Sequence, residues 1–251
     1  MKATCTCLPV TAVHDASKRR WLKASLGMAS LSATGMSLLA VDAGAASLSR
    51  TQRDGMTPDA VIAMLQEGNQ RFRQGTMRSH DFLAQKRETA SGQYPAAVIL
   101  SCIDSRASAE IIFDAGIGDV FGARVAGNVS TTELIGSMEY ACAVAGAKLV
   151  LVMGHTSCGA VAGAIDGVQL GNLPALLDHI KPAIEQTRYE GERTARNSDF
   201  VDAVALANVS NTLSVIRRNS PLLADMEKEG KIKMAGAMYS LRNGEVTFLP
   251  G

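Results

Sequence analysis

Ala96-Ala97-Val98-Ile99-Leu100-Ser101-Cys102 is the stretch on which the fold of this chain turns. Residues 96–100 are uninterruptedly apolar, with none of the polar alternation of a half-exposed strand. Such a run reads as a strand buried on both faces, which is the habit of parallel strands in α/β domains. Ahead of it, Thr57-Pro58-Asp59 supplies an N-cap, a first-turn proline and an acid suited to the helix dipole. Val61, Met64, Leu65 and Phe72 then recur at helical spacing, so a helix is expected to about residue 74. Residues 81–90 form a second candidate helix. Beyond Cys102 the pattern alternates: a helix over 108–115, a strand over 119–125 broken by Gly122, an alanine-rich helix over 131–145, and a second apolar strand over 148–153 that ends at His155. This order predicts an α/β fold, a parallel central sheet with right-handed crossovers and helices on both faces. Helices are expected at 159–165, 173–189, 198–218 and 221–229. Strands at 232–240 and 245–249, joined by a turn at Asn243-Gly244, finish the chain.

The 251 residues, 47% hydrophobic and 20% charged, suit one globular domain over 46–251 with a short appendage in front. A formal net charge of +1 and few aromatic residues leave no basic stripe, which excludes nucleic acid as a partner. The basic residues of the first 45 positions (Lys2, Lys18, Arg19, Arg20, Lys23) face only Asp15 and Asp42. Lys18-Arg19-Arg20-Trp21-Leu22-Lys23 precedes a weakly apolar stretch and the small residues Ala43-Gly44-Ala45-Ala46. Residues 1–45 thus resemble a twin-arginine export signal, cut near Ala45 or Ala46. Periplasmic or other exported placement without a stable membrane anchor is expected. Cys5 and Cys7 would leave with the signal, so Cys102, Cys142 and Cys158 remain. Three cysteines cannot all pair as disulfides, whereas thiolates held by a metal suit an oxidising compartment.

Cys102-Ile103-Asp104-Ser105-Arg106 and His155-Thr156-Ser157-Cys158 each lie just past an apolar strand. In an open parallel sheet the carboxyl ends of the strands form the crevice where ligands bind, so the two segments can converge there. Two thiolates and an imidazole form a donor set that favours zinc, and three protein ligands leave a position open for catalysis. Asn128 sits beyond another strand end and is placed to line the crevice. Cys142, inside the alanine-rich helix, reads as a packing residue. His80 and His179 are candidate proton relays by their ordinary pKa range.

With Cys102, Asp104 and Arg106 as Cys-x-Asp-x-Arg, and His155, Cys158 and Gly159 as His-x-x-Cys-Gly, the sequence resembles the β-class carbonic anhydrases. Gly118-Asp119, the run from Arg124 to Asn128 and the run from Gly136 to Tyr140 match further blocks in family order. The resemblance implies one zinc ion per chain on Cys102, His155 and Cys158. It also implies a four-stranded parallel core extended by a further strand, an N-terminal helical arm reaching a neighbouring subunit, and a homodimer or higher oligomer. The implied reaction is reversible hydration of carbon dioxide to bicarbonate and a proton by zinc-bound hydroxide. Two roles are implied for Asp104: gripped by Arg106 it orients the nucleophile, and released it becomes a fourth metal ligand that shuts the site. Two thiolates cancel the charge of the metal, so an alkaline preference is expected. Relatives on this scaffold that hydrolyse carbon disulfide or carbonyl sulfide, and a zinc protein without turnover, are the competing readings.

Overall fold

The computed structural model describes residues 46–250. The export signal read in residues 1–45 lies outside the described residues. Helices α1 (Arg50–Gly55), α2 (Pro58–Gln74) and α3 (Phe82–Glu88) precede strand β1 (Ala97–Ser101). Helix α4 (Ala109–Ile112) leads to β2 (Val120–Arg124), and α5 (Thr132–Glu139) leads to β3 (Leu149–His155). Helices α6 (Gly159–Ile165), α7 (Leu173–Leu177), α8 (Lys181–Gln186), α9 (Ser198–Asn219) and α10 (Pro221–Lys228) return the chain to β4 (Lys233–Tyr239) and β5 (Val246–Phe248). The strands form one sheet in the order β2-β1-β3-β4-β5. The first four are mutually parallel, and β5 runs antiparallel to β4 across the Asn243-Gly244 turn.

Every residue of β1 and β3 is buried, because each face of the sheet carries its own core. Val98, Leu100, Val150 and Val152 point to one face and pack with Met138, Val209 and Ile216. Ala97, Ile99, Leu149, Leu151 and Met153 point to the other and meet Val61, Leu65, Ile112 and Phe113. A period of two along strands covered on both sides thus yields two cores from one apolar run. Truncating a fully buried member such as Ile99 to alanine would cost about 2–5 kcal/mol.

Two glycines decide how near α9 comes to the sheet. A Cβ at Gly154 would lie 2.7 Å from Val209 Cγ2, and one at Gly236 would lie 2.8 Å from Val209 Cγ1. Without side chains there, the helix seats directly on β3 and β4.

The expected elements are present, with four differences. Helix α1 was not anticipated; Ser49 and Gln52 form its capping box. The helix expected over 108–115 stops after Ile112, since Asp114 adopts φ 49° and turns its carboxylate back to the Arg78 amide and the Arg71 side chain. The one expected over 131–145 widens at Tyr140 into a π turn, in which the Ala145 amide bonds Tyr140 O. The one expected over 173–189 breaks into α7 and α8, each with a proline (Pro174, Pro182) in its opening turn. Proline lacks the amide that would continue the preceding helix, so it starts a new one. Among the described residues no helix is long and apolar enough to cross a membrane.

Candidate metal centre

The chain leaves β1 toward β2 and leaves β3 toward β4, in opposite directions along the sheet, which opens a crevice between the carboxyl ends of β1 and β3. Ser101 pairs with Met153 in the parallel register, which sets Cys102 and His155 at the same end of neighbouring strands. Cys158 follows as the N-cap residue of α6. The ligand atoms of Cys102, His155 and Cys158 lie within 4.8 Å of one another, and all three residues are buried.

Each donor is oriented by a partner behind it. The ring of His155 is turned by a 2.9 Å hydrogen bond from Nδ1 to Thr156 O. A carbonyl only accepts, so Nδ1 holds the proton and Nε2 presents its lone pair. That Nε2 is buried and has no hydrogen-bond partner. The Gly127 amide points at Cys102 Sγ from 3.4 Å. A hydrogen bond from the Cys158 thiol, aided by His155 and by the amides of Gly127 and Asp104 against the cost of burial, brings the Cys102 thiol down to about 4. Cys158 is pushed far up by sharing its proton with Cys102 and by burial. Burial opposes charge on His155, yet the neighbouring Cys102 and Asp104 and the bond to Thr156 O raise its pKa. Soft donors, a buried lone pair without a partner and stabilised thiolate charge together fit a borderline cation such as zinc.

Asp104 stands beside this triad and outside it. Arg106 donates Nε to Oδ1 at 3.0 Å, Nη2 to Oδ2 at 2.8 Å and its backbone amide to Oδ1 at 2.9 Å. This grip, chiefly the side-chain hydrogen bonds, holds the carboxyl well below the usual carboxylate range. Asp104 Oδ2 lies 4.0 Å from His155 Nε2, so the ionised oxygen faces the place a metal would take. Arg124 donates to the carbonyls of Cys102 at 3.0 Å and Asp104 at 2.6 Å, clamping the loop between ligand and carboxylate. A cavity of about 360 Å³ opens onto Cys102 and Asp104 and is walled mainly by apolar side chains, including Ile103, Val168, Leu173 and Leu177. The arrangement can seat a small neutral molecule beside an oriented acceptor.

The five residues singled out from the sequence therefore meet at one place. Asn128 is buried next to Gly127, with Nδ2 unpartnered. His80 is tied between Asp114 at 2.9 Å and Gln85 at 3.2 Å, an arrangement that fixes its ring rather than freeing it to carry protons. Sequence reasoning did not single out Arg124, Asp202 or Asn208 as residues that shape the site. Arg124 stood within a recognised block, while the two on α9 carry no local signal.

The family model described as carbonic anhydrase matches residues 97–246. Carbonic anhydrase 2 of Mycobacterium tuberculosis is 35% identical over 193 residues, covering 74% of this chain and 90% of that protein. The carbonic anhydrase of Mycolicibacterium smegmatis is 32% identical over 195 residues, covering 75% of this chain and 92% of that one. Among solved structures, the tetrameric β-carbonic anhydrases of Sordaria macrospora superpose with a TM-score of 0.59 at 26% identity, over 66% of this chain and 85% of theirs. With the Cys-His-Cys triad at the mouth of a matching sheet, the chain belongs to the carbonic anhydrase family, in its β class.

Proposed function

We propose that this carbonic anhydrase interconverts carbon dioxide and bicarbonate at a zinc ion held by Cys102, His155 and Cys158, with Asp104 and Arg106 as its catalytic pair. One observation carries the reading: three buried donor atoms gather within 4.8 Å, and one of them, His155 Nε2, has no protein partner. When bound, zinc supplies the Lewis acidity that makes water a nucleophile near neutral pH. Asp104, ionised and gripped by Arg106, can only accept hydrogen bonds, so it would accept one from the nucleophile and aim that group's free lone pair at the substrate. The apolar cavity holds carbon dioxide and keeps competing water away from it. Arg106 also acts as the gate. To become a fourth metal ligand, Asp104 would have to abandon all three hydrogen bonds from Arg106.

Stopped-flow hydration assays with metal analysis test the proposal on the mature chain. About one zinc per chain and rapid hydration are expected; a zinc-loaded protein that leaves carbon dioxide untouched would overturn it. We also propose a homodimer or larger assembly. Strand β2 pairs only with β1 among the described residues, and Tyr140, which packs its ring edge-on against Phe121 of that open edge strand, is 55% exposed. Sedimentation as a monomer at micromolar concentration would count against the assembly. Export through residues 1–45 is the expected route, read out by loss of processing when Arg19 and Arg20 are both changed to Lys.

A further inference from the structure

Helix α9 touches both turns that present the metal donors. Near its start, Asp202 Oδ1 accepts the Ser157 amide at 2.7 Å. Six residues on, about 9 Å along the axis, the wholly buried Asn208 donates Nδ2 to Gly127 O at 2.7 Å. Both receiving turns hold unfavourable backbone. Ser157, between His155 and Cys158, has φ 53°, and Asn128, beside Gly127, has φ 43°. Residues other than glycine stay in this region only where their surroundings hold them. Released from Asp202, Ser157 would relax toward negative φ and swing Cys158 relative to His155. Released from Asn208, Gly127 would no longer aim its amide at Cys102 Sγ. The close seating of α9 on Gly154 and Gly236 makes it a rigid support for both holds.

We propose that α9 presets the donor triad, with Asp202 and Asn208 as positioning residues. Asp202 holds the turn that carries His155 and Cys158, and Asn208 holds the turn that directs an amide at Cys102. This inference rests on the metal-site reading given above. It adds the elements that place the donors before any metal arrives.

Zinc affinity by competition with a chromophoric chelator, and the thiolate-to-metal charge-transfer spectrum after cobalt(II) substitution, test it on the mature chain. Asp202→Ala is expected to weaken zinc binding about 10- to 100-fold and to shift the cobalt spectrum. Asp202→Asn keeps an oxygen acceptor for the Ser157 amide and is expected to stay within about threefold of the parent. Asp199→Ala, in the exposed first turn of the same helix, is expected to match the parent in affinity and spectrum while losing some helix stability. Asn208→Ala is expected to resemble Asp202→Ala; where it fails to fold, the Asp202 variants alone decide. Parent-like affinity and spectrum in Asp202→Ala overturn the inference and leave the metal site standing. A parent that binds neither zinc nor cobalt overturns both.

Discussion

Cys102 and Cys142 are equally hidden, at 4% and 3% exposure, yet their thiols behave oppositely. Cys142 sits in the π turn after α5 with burial as the only influence on its proton, and its pKa is pushed up to about 12. Cys102, with a hydrogen bond from the Cys158 thiol, His155 beside it and the Gly127 amide directed at its sulfur, is brought down to about 4 against the same penalty. Burial by itself makes a thiol inert. Hydrogen-bond donors directed at the sulfur favour the thiolate. The difference arises from placement: Cys102 follows a strand end in the crevice, where several backbones converge, while Cys142 faces side chains such as Met138 and Ile216.

The largest expected effect comes from replacing the thiol that partners Cys102. Cys158→Ser is expected to abolish stoichiometric zinc and carbon dioxide hydration, measured by metal analysis and stopped flow, because an uncharged hydroxyl replaces a thiolate donor. Next comes the carboxylate that shares the crevice. Arg106→Ala should keep its zinc but lose hydration rate about 100-fold, since Asp104 loses its grip and its aim; an unchanged rate would break the pairing.

Asp114 extends the contrast to a buried carboxylate outside the metal cluster. Burial works against its charge, but Arg71 at 2.6 Å, His80 at 2.9 Å and the Arg78 amide outweigh it and lower its pKa. A folded pKa below the unfolded value of about 3.9 contributes stability above that value, lost as pH falls through the folded one. Asp114→Asn should therefore cost about 2 kcal/mol at neutral pH, with the gap to the parent closing below about pH 4 in urea titrations. The smallest effect belongs to Cys142→Ala, expected to cost about 1 kcal/mol through lost packing and to leave zinc content and rate unchanged. A loss of metal in that variant would erase the contrast.

Much of this was legible because it is local. The runs at β1 and β3 announce doubly buried strands, and the ligands follow those strands within a few positions, so fold class and triad are read from neighbouring letters. The helix boundaries that went astray depend on single residues in particular conformations. Asp114 ends α4 by entering the left-handed region, and Pro182 starts α8 where apolar spacing ran on. The supports of the triad were beyond reach for another reason. Asp202 meets Ser157 across 45 positions, and Asn208 meets Gly127 across 81. Asp and Asn in a helix ordinarily read as solvent-facing polarity, and only the packed fold shows what they hold. Whether Asp104 rests on Arg106 was likewise open in the sequence, because the motif serves both arrangements; the structure has it on Arg106.

His155 is the last residue of β3, paired in register with Tyr239 of β4, rather than a passenger on a loop. The cores on the two faces of that sheet contain none of the three donors. A metal ion bound by them is therefore expected to be a guest of this architecture and not its keystone, with loading a separate and reversible event. Chelated protein should keep its far-ultraviolet circular dichroism and recover full activity when zinc is returned; collapse of the sheet on chelation would show instead that the guest holds up the house.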